Sequence, residues 1–232
     1  MSNIGQQLLS DAGQGIKDKT TPNRFVGLLE ARRVPPAVLG QLTADLSRLV
    51  ASDGRSFSHL ATRFPDAAAG EFFRAMAEGE EQALALLQSF AAAQNLDADS
   101  LASFASRPLG LAYPAFISQV ALCGSRSDMA LALLANVEES GATYARIADA
   151  LHGQYGFPES ALAHFRFFAE TPPEILEQAH ATLESGIAAG DSVSDALDVA
   201  LIVHTFEGLF WHDLAAHVPA DDGDQAAVTI EA

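Results

Sequence analysis

The sequence predicts an all-α chain, folded as a single bundle of about eight helices. Three observations carry this expectation. Apolar side chains recur at three- and four-residue spacing through long stretches. No segment keeps the strict alternation of a half-buried strand. Gly and Pro fall mainly between the long stretches, where they separate helices.

Residues 1–20 are polar and contain Gly, and they read as a flexible N-terminal segment. The helical domain is expected over residues 21–218. Thr21-Pro22 has the form of an N-cap followed by Pro in the first turn, opening a short helix to about Arg33. Pro35-Pro36 opens a second helix, with Leu39, Leu42, Leu46, Leu49 and Val50 as its stripe. Gly54 is expected to break or kink it before Phe57. After the turn at Pro65-Asp66 a long helix runs from about Ala67 to Asn95. Phe73, Met76, Leu84, Leu87 and Ala91 form its inner row, and Glu80 falls in that row. Residues 99–106 form a short helix, 107–110 a loop, and 113–122 a buried apolar helix.

Ser125 to Asp128 resembles a capping box with Asp in place of the usual Glu. It opens a helix to about Tyr155, with stripe Leu133, Leu134, Val137, Gly141, Tyr144, Ala148 and Leu151. Gly156-Phe157-Pro158 ends that helix, and an aromatic-rich stretch, 159–170, follows. Thr171-Pro172-Pro173-Glu174 is a helix start, with Thr as cap and Pro in the first turn. That helix ends near Gly190, and residues 191–194 cap the last one. Residues 197–218 are apolar almost all round, which predicts a central position. Residues 219–232 read as an acidic, disordered tail.

The totals exclude several functions. With 13 Lys+Arg against 30 Asp+Glu, the formal charge of −17 repels nucleic acid and anionic lipid. The single Cys123 leaves no internal disulfide and no Cys-rich zinc site. The first residues lack the basic start and apolar core of a signal peptide. No run reaches the roughly 18 apolar residues of a membrane span. A cytoplasmic chain is therefore expected, with a small molecule as its partner and neither nucleic acid nor membrane.

Chemistry is expected on the last helix. Val193, Ala200, His204, Glu207, Trp211, Leu214 and Val218 share a face, so two ionisable groups interrupt an apolar stripe. A buried carboxylate is costly unless paired, hydrogen-bonded or protonated. His204 and Glu207, one turn apart, suit an acid–base pair or a shared metal. The bland alternative is a core His satisfied by its neighbouring Glu. The doublets Glu80-Glu81 and Glu138-Glu139 lie mid-helix, but neither has the His three residues on that helical dimetal sites use. His164 beside Phe165 and Phe168 reads first as a packed core side chain. No nucleophile elbow, phosphate loop or dinucleotide fingerprint is present.

These residues bring a family into view. Glu207-Gly208-Leu209-Phe210-Trp211 resembles the Glu-x-x-Phe-Trp signature of the last helix of TenA-type proteins. Asp45 within Leu42–Leu49 is similar to the Asp of their second helix. Tyr113, Gly124 and Leu133-Leu134-Ala135-Asn136 follow the family's order of Tyr, Gly and Leu-Leu-Pro-Cys. Glu138, Gly141, Tyr144 and Tyr155-Gly156 look more like the PqqC-like and diiron-oxidase branches. All share the haem-oxygenase-like fold, and the resemblance spans about residues 22–217.

The resemblance implies catalysis by Glu207 and Asp45, and the helical spacing adds His204, which would orient Glu207 or shuttle its proton. Tyr113, Asn136, Glu138 and Trp211 would contact substrate. The family's Cys falls on Asn136, and an amide cannot replace a thiolate nucleophile. Most ligand positions of the dimetal oxidases are also changed, to Gln88, Phe168, Pro172 and Ile175. No cofactor is therefore expected. If iron or manganese binds, the ligands would be Glu81, Glu138, His204 and Glu207. The resulting expectation is an enzyme that modifies a nitrogen-containing metabolite, with redox chemistry favoured because the thiol is absent. The alternatives are a TenA-type C–N hydrolase without its Cys, and a non-catalytic ligand-binding or scaffold member. TenA relatives assemble as homo-oligomers, so the resemblance also implies a homodimer.

Overall fold

The computed structural model describes residues 3–220, and the tail from 221 onward lies outside the described residues. Ten α-helices occur among the described residues, and no strand. They are α1 (Asn3–Lys17), α2 (Arg24–Glu30), α3 (Pro36–Arg63), α4 (Ala67–Ala93), α5 (Ala98–Ser103), α6 (Pro108–Cys123), α7 (Arg126–Tyr155), α8 (Ala163–Ala169), α9 (Pro173–Ala188) and α10 (Val193–Ala216).

The start signals explain most of these bounds. Ser125 and Asp128 form the expected capping box at α7, each satisfying a backbone N–H of the other. Gly156, at φ 74°, ends the same helix in the left-handed conformation that glycine adopts without strain. Ser192 caps α10 through Asp195 N.

Four expectations are corrected. Residues 3–17 are helical, because Leu8, Ala12 and Ile16 form a stripe that is buried against the bundle. Asn23, not Thr21, caps α2, accepting from Val26 N. Gly54 does not interrupt α3, since α4 packs closely there and supports the helix. Residues 107–110 are not all loop: Pro108 is the first residue of α6, where its missing N–H costs nothing.

The position of α10 also differs from expectation. It packs on α7, α6, α1 and α2, but Ile202, Thr205, Gly208 and His212 leave one stripe exposed. The long α7 is the more enclosed helix, touching α1, α2, α6, α8, α9 and α10.

The buried side chains form two cores. One gathers Phe25, Leu29, Leu42, Phe90, Phe165, Phe210 and Leu214. The other gathers Phe57, Leu60, Phe72, Phe73, Ile117, Leu131 and Leu183. Long helices α3, α4, α7 and α10 contribute to both, so the gap between the cores lies midway along them.

Close backbone approach holds one edge of that gap. A Cβ on Gly141 would lie 3.0 Å from the carbonyl oxygen of Ala169, so α7 meets the end of α8 only because residue 141 has no side chain. Gly141→Ala is expected to lose about 1–3 kcal/mol, as overpacking against backbone typically does. Urea unfolding of the variant would measure it; an unchanged midpoint would show that the two segments are not in tight contact.

Candidate functional site

A cavity of about 500 Å³ occupies the gap between the two cores. Phe57, Phe72 and Ala132 reach it from one core, and Tyr144, Phe210 and Trp211 from the other. Its size and mainly apolar wall suit a small molecule. The exposed lining residues Glu78, Gln82, Glu170 and Pro172 mark its mouth, between α4 and the connection from α8 to α9.

The helix α10 carries Glu207 into this space. Its Oε1 accepts a hydrogen bond from Ser140 Oγ at 3.0 Å. Burial pushes its carboxyl up to about 7, against smaller opposing effects of Ser140 and Trp211. Glu207 is thus poised to gain or lose a proton near neutral pH, as a general acid or base requires. Trp211, one turn on, also lines the cavity, and its Nε1 has no full hydrogen-bond partner.

Two further carboxyls stand on α3 and α4. Gly54 lets α4 approach until a Cβ on residue 54 would lie 3.4 Å from Glu80 Cβ. Asp53, the neighbour of Gly54, and Glu80 therefore enter the same cavity wall. Both are buried, at 3% and 7% exposure. Burial pushes both well above the ordinary carboxylate range, and the charge of Asp53 raises Glu80 further. Asp53 Oδ1 and Glu80 Oε2 have no hydrogen-bond partner.

Tyr113 and Tyr144 also line the cavity. Their phenols are pushed up by burial and then by Asp53, Glu80 and Glu207, so they are neutral hydroxyls at pH 7. Asn136 donates its amide to Ala132 O at 2.8 Å and to Ala200 O at 3.3 Å. That leaves Asn136 Oδ1 without a partner in the cavity wall. Among the described residues no Lys, Arg or His lines the cavity.

Other expected site residues are placed elsewhere. Asp45 is buried but does not line the cavity; it is the hub of an ion-pair network. Arg107 Nε donates to Asp45 Oδ2 at 2.8 Å, Arg48 Nη1 to Oδ1 at 3.1 Å, and Gln41 Nε2 to Oδ1 at 2.9 Å. Arg107 also binds Asp213 of α10. Asp45 thus ties α3 to the start of α6 and to α10.

His204 is likewise outside the cavity wall. Three residues turn a helix by about 300°, so His204 stands about 60° from Glu207 around α10. Its ring lies 3.3 Å from Thr20 Oγ1 and 3.8 Å from Glu139 Oε2. Glu81 and Glu138 are exposed on the surface and do not line the cavity. The four residues named as a metal set are therefore dispersed. Among the described residues no three His, Cys, Asp or Glu side chains converge on a metal-sized point.

His164 is fully buried one layer behind the wall, packed edge-on against Tyr144 and Phe168. Its Nδ1 lies 2.9 Å from Ala83 O; a carbonyl only accepts, so Nδ1 carries the hydrogen. Burial pushes the ring down to about 4, and it is neutral at pH 7.

No family model matches the chain, and no curated protein matches its sequence. Solved structures do match. A domain of unknown function with a heme oxygenase-like fold, from Shewanella denitrificans, superposes with a TM-score of 0.70 at 11% identity, covering 90% of this chain and 89% of that one. A TenA homolog from Pseudomonas syringae pv. tomato gives 0.69 at 12% identity, covering 91% and 92%. A TenA homologue from P. horikoshii gives 0.66 at 16% identity, covering 92% and 98%. The chain thus has the haem-oxygenase-like fold, over nearly its whole length.

Proposed function

We propose that this chain is an enzyme that binds a small, basic nitrogen compound in the cavity and acts on it by acid–base chemistry at Glu207. The observation that carries this reading is a carboxyl with a pKa of about 7, set in an apolar cavity of small-molecule size. A wall with two buried acids, the half-buried Glu207 and, among the described residues, no basic side chain suits a protonated amine or heterocycle. Tyr113 and Trp211 supply neutral donors beside it, and aromatic faces suit a flat or apolar body. The likeness to TenA homologues supports a nitrogen compound as ligand by analogy of fold.

The roles are as follows. Glu207 in its ionised form would take a proton from the substrate or from water, and return it to a leaving nitrogen. Ser140 positions its carboxylate. Asn136 would orient the ligand as an acceptor and offers no nucleophile, and C–N cleavage by this reading uses water activated by Glu207. The redox preference drawn from the sequence rested on the missing thiol alone; the cavity itself favours proton transfer.

Benzylamine provides the test. Because the ionised form of Glu207 holds the ammonium, its affinity is expected to rise as pH increases through 7. Glu207→Gln is expected to weaken it at least 10-fold at pH 8, a loss of about 1.4 kcal/mol. Calorimetric titration measures both. Equal binding by the variant, or an affinity independent of pH, would remove Glu207 from the site.

A further inference from the structure

We propose that Asp53 and Glu80 form a second cation station in the cavity, so that its ligand carries two basic nitrogens separated by an apolar spacer. The inference rests on the proposed function and deepens it by naming the substrate class.

The first observation is position. Asp53 on α3 and Glu80 on α4 meet at Gly54, on a different wall from Glu207 on α10. The helix α10 packs chiefly on α7, α6, α1 and α2, whereas α3 packs chiefly on α4 and α6. Tyr113 stands on α6, which packs on both α3 and α10, so its phenol belongs to the wall that joins the two stations.

The second observation is hydrogen bonding. Two buried carboxyls side by side, each with an oxygen to which no other residue donates, are a costly arrangement that the fold alone does not use. Where a fold needs a buried acid for stability it provides partners, as it does for Asp45 with Arg107, Arg48 and Gln41. Independently of the acids, Asn136 is 95% buried and has its amide fixed to two backbone carbonyls, leaving its oxygen as an open acceptor lining the same cavity. The open acceptors lining the cavity are thus on Asp53, Glu80 and Asn136. Such a wall complements a ligand rich in N–H donors.

The third observation is the mouth, where the exposed Glu78 and Glu170 add acidic groups on the approach. A dication would be drawn in, and each ammonium would displace a carboxyl proton to solvent as it docks. The spacer would lie along the aromatic and aliphatic wall.

The experiment compares p-xylylenediamine with benzylamine, and 1,5-diaminopentane with 1-aminopentane, by calorimetry at pH 7.5 in buffers of different ionisation enthalpy. At least one diamine is expected to bind 10-fold or more tightly than its monoamine, and to release more protons. Asp53→Asn is expected to lower the diamine's affinity at least 10-fold and so to remove its advantage over the monoamine. Glu80→Gln gives the same readout should Asp53→Asn fail to fold. Monoamine binding that depends on Glu207, with no advantage for either diamine, would overturn the second station and keep the proposed function. A diamine advantage that survives both substitutions would also overturn it. No binding by any amine would overturn the proposed function itself.

Discussion

Arg107→Ala is expected to lower the stability of the fold by about 3–5 kcal/mol, the cost typical of breaking a buried ion pair from one side. Arg107 is 6% exposed and its guanidinium serves two acids, Asp45 on α3 and Asp213 on α10. Removing it leaves Asp45 in a buried position with only Arg48 and Gln41 to hold it. The loss is not a measure of what the network contributes relative to an apolar core. It measures the cost of an acid left without its main partner. Asp45→Asn added to Arg107→Ala should therefore recover part of the loss. Urea unfolding of the two variants and the double variant measures both effects. A single Arg107→Ala variant as stable as the native chain would show that Arg48 and Gln41 alone compensate Asp45. Ligand binding in the cavity should be unaffected by Asp45→Asn, because this acid does not line it.

Above pH 7, Glu207→Gln is expected to be more stable than the native chain by about 2–3 kcal/mol. The ordinary value of 4.5 is pushed up to about 7 in the fold. Between those values the folded chain keeps a proton that the unfolded chain has lost. The stability from this group is therefore full below about pH 4.5 and is lost as pH rises through 7. A shift of that size corresponds to about 3 kcal/mol at 1.36 kcal/mol per unit, lessened where cavity water reaches the carboxyl. His164 acts in the opposite sense. Its ring falls from 6.5 to about 4, so its stabilisation is present above pH 6.5 and is lost as pH falls through 4. The native profile thus mixes two opposed slopes. The difference between native and Glu207→Gln isolates one of them, provided the two sites are independent. That difference should be near zero at pH 4.5 and should level off above 7. A flat difference across this range would mean that Glu207 is an ordinary, solvated carboxylate.

The fold was readable because long helices display their buried faces in sequence. Leu42, Leu46 and Val50 on α3, and Tyr144, Ala148 and Leu151 on α7, recur at helical spacing and are buried. Helix starts were less readable. Two Pro pairs mark starts, but Thr171 is not the cap it resembles: Pro172 occupies that position and no side chain caps α9. The helix α1 was missed because its stripe of Leu8, Ala12 and Ile16 is thin among Gln, Ser and Gly.

In the site, Glu207, Tyr113, Asn136 and Trp211 were identified in sequence and all line the cavity. The acid in the apolar row and the order of family-like motifs both pointed to them. His204 shares the expected stripe with Glu207 but lies outside the cavity lining, because one helical turn is not an integral number of residues. Asp45 matched a family position, but a match in order does not reveal the Arg107 that neutralises it. Glu138 and Glu81 were chosen for a dimetal pattern, whereas Glu80, the member of its doublet in the apolar row, is the one in the cavity. Asp53 left little trace: it sits in the polar run Ser52-Asp53-Gly54-Arg55, which reads as a helix break. Its role depends on α4 packing at Gly54, which is long-range information. Ser140, the hydroxyl bound to Glu207, was missed for the same reason.

The central claim is that Glu207 is a neutral-pH acid facing an amine-binding cavity. The most direct measurement is infrared titration of its carboxyl, taken as the difference between the native chain and Glu207→Gln, with and without benzylamine. The account predicts a protonated carboxyl band that disappears with a midpoint near pH 7 in the free protein, and at lower pH when the amine is bound. A midpoint between 4 and 5, unmoved by the amine, would contradict it.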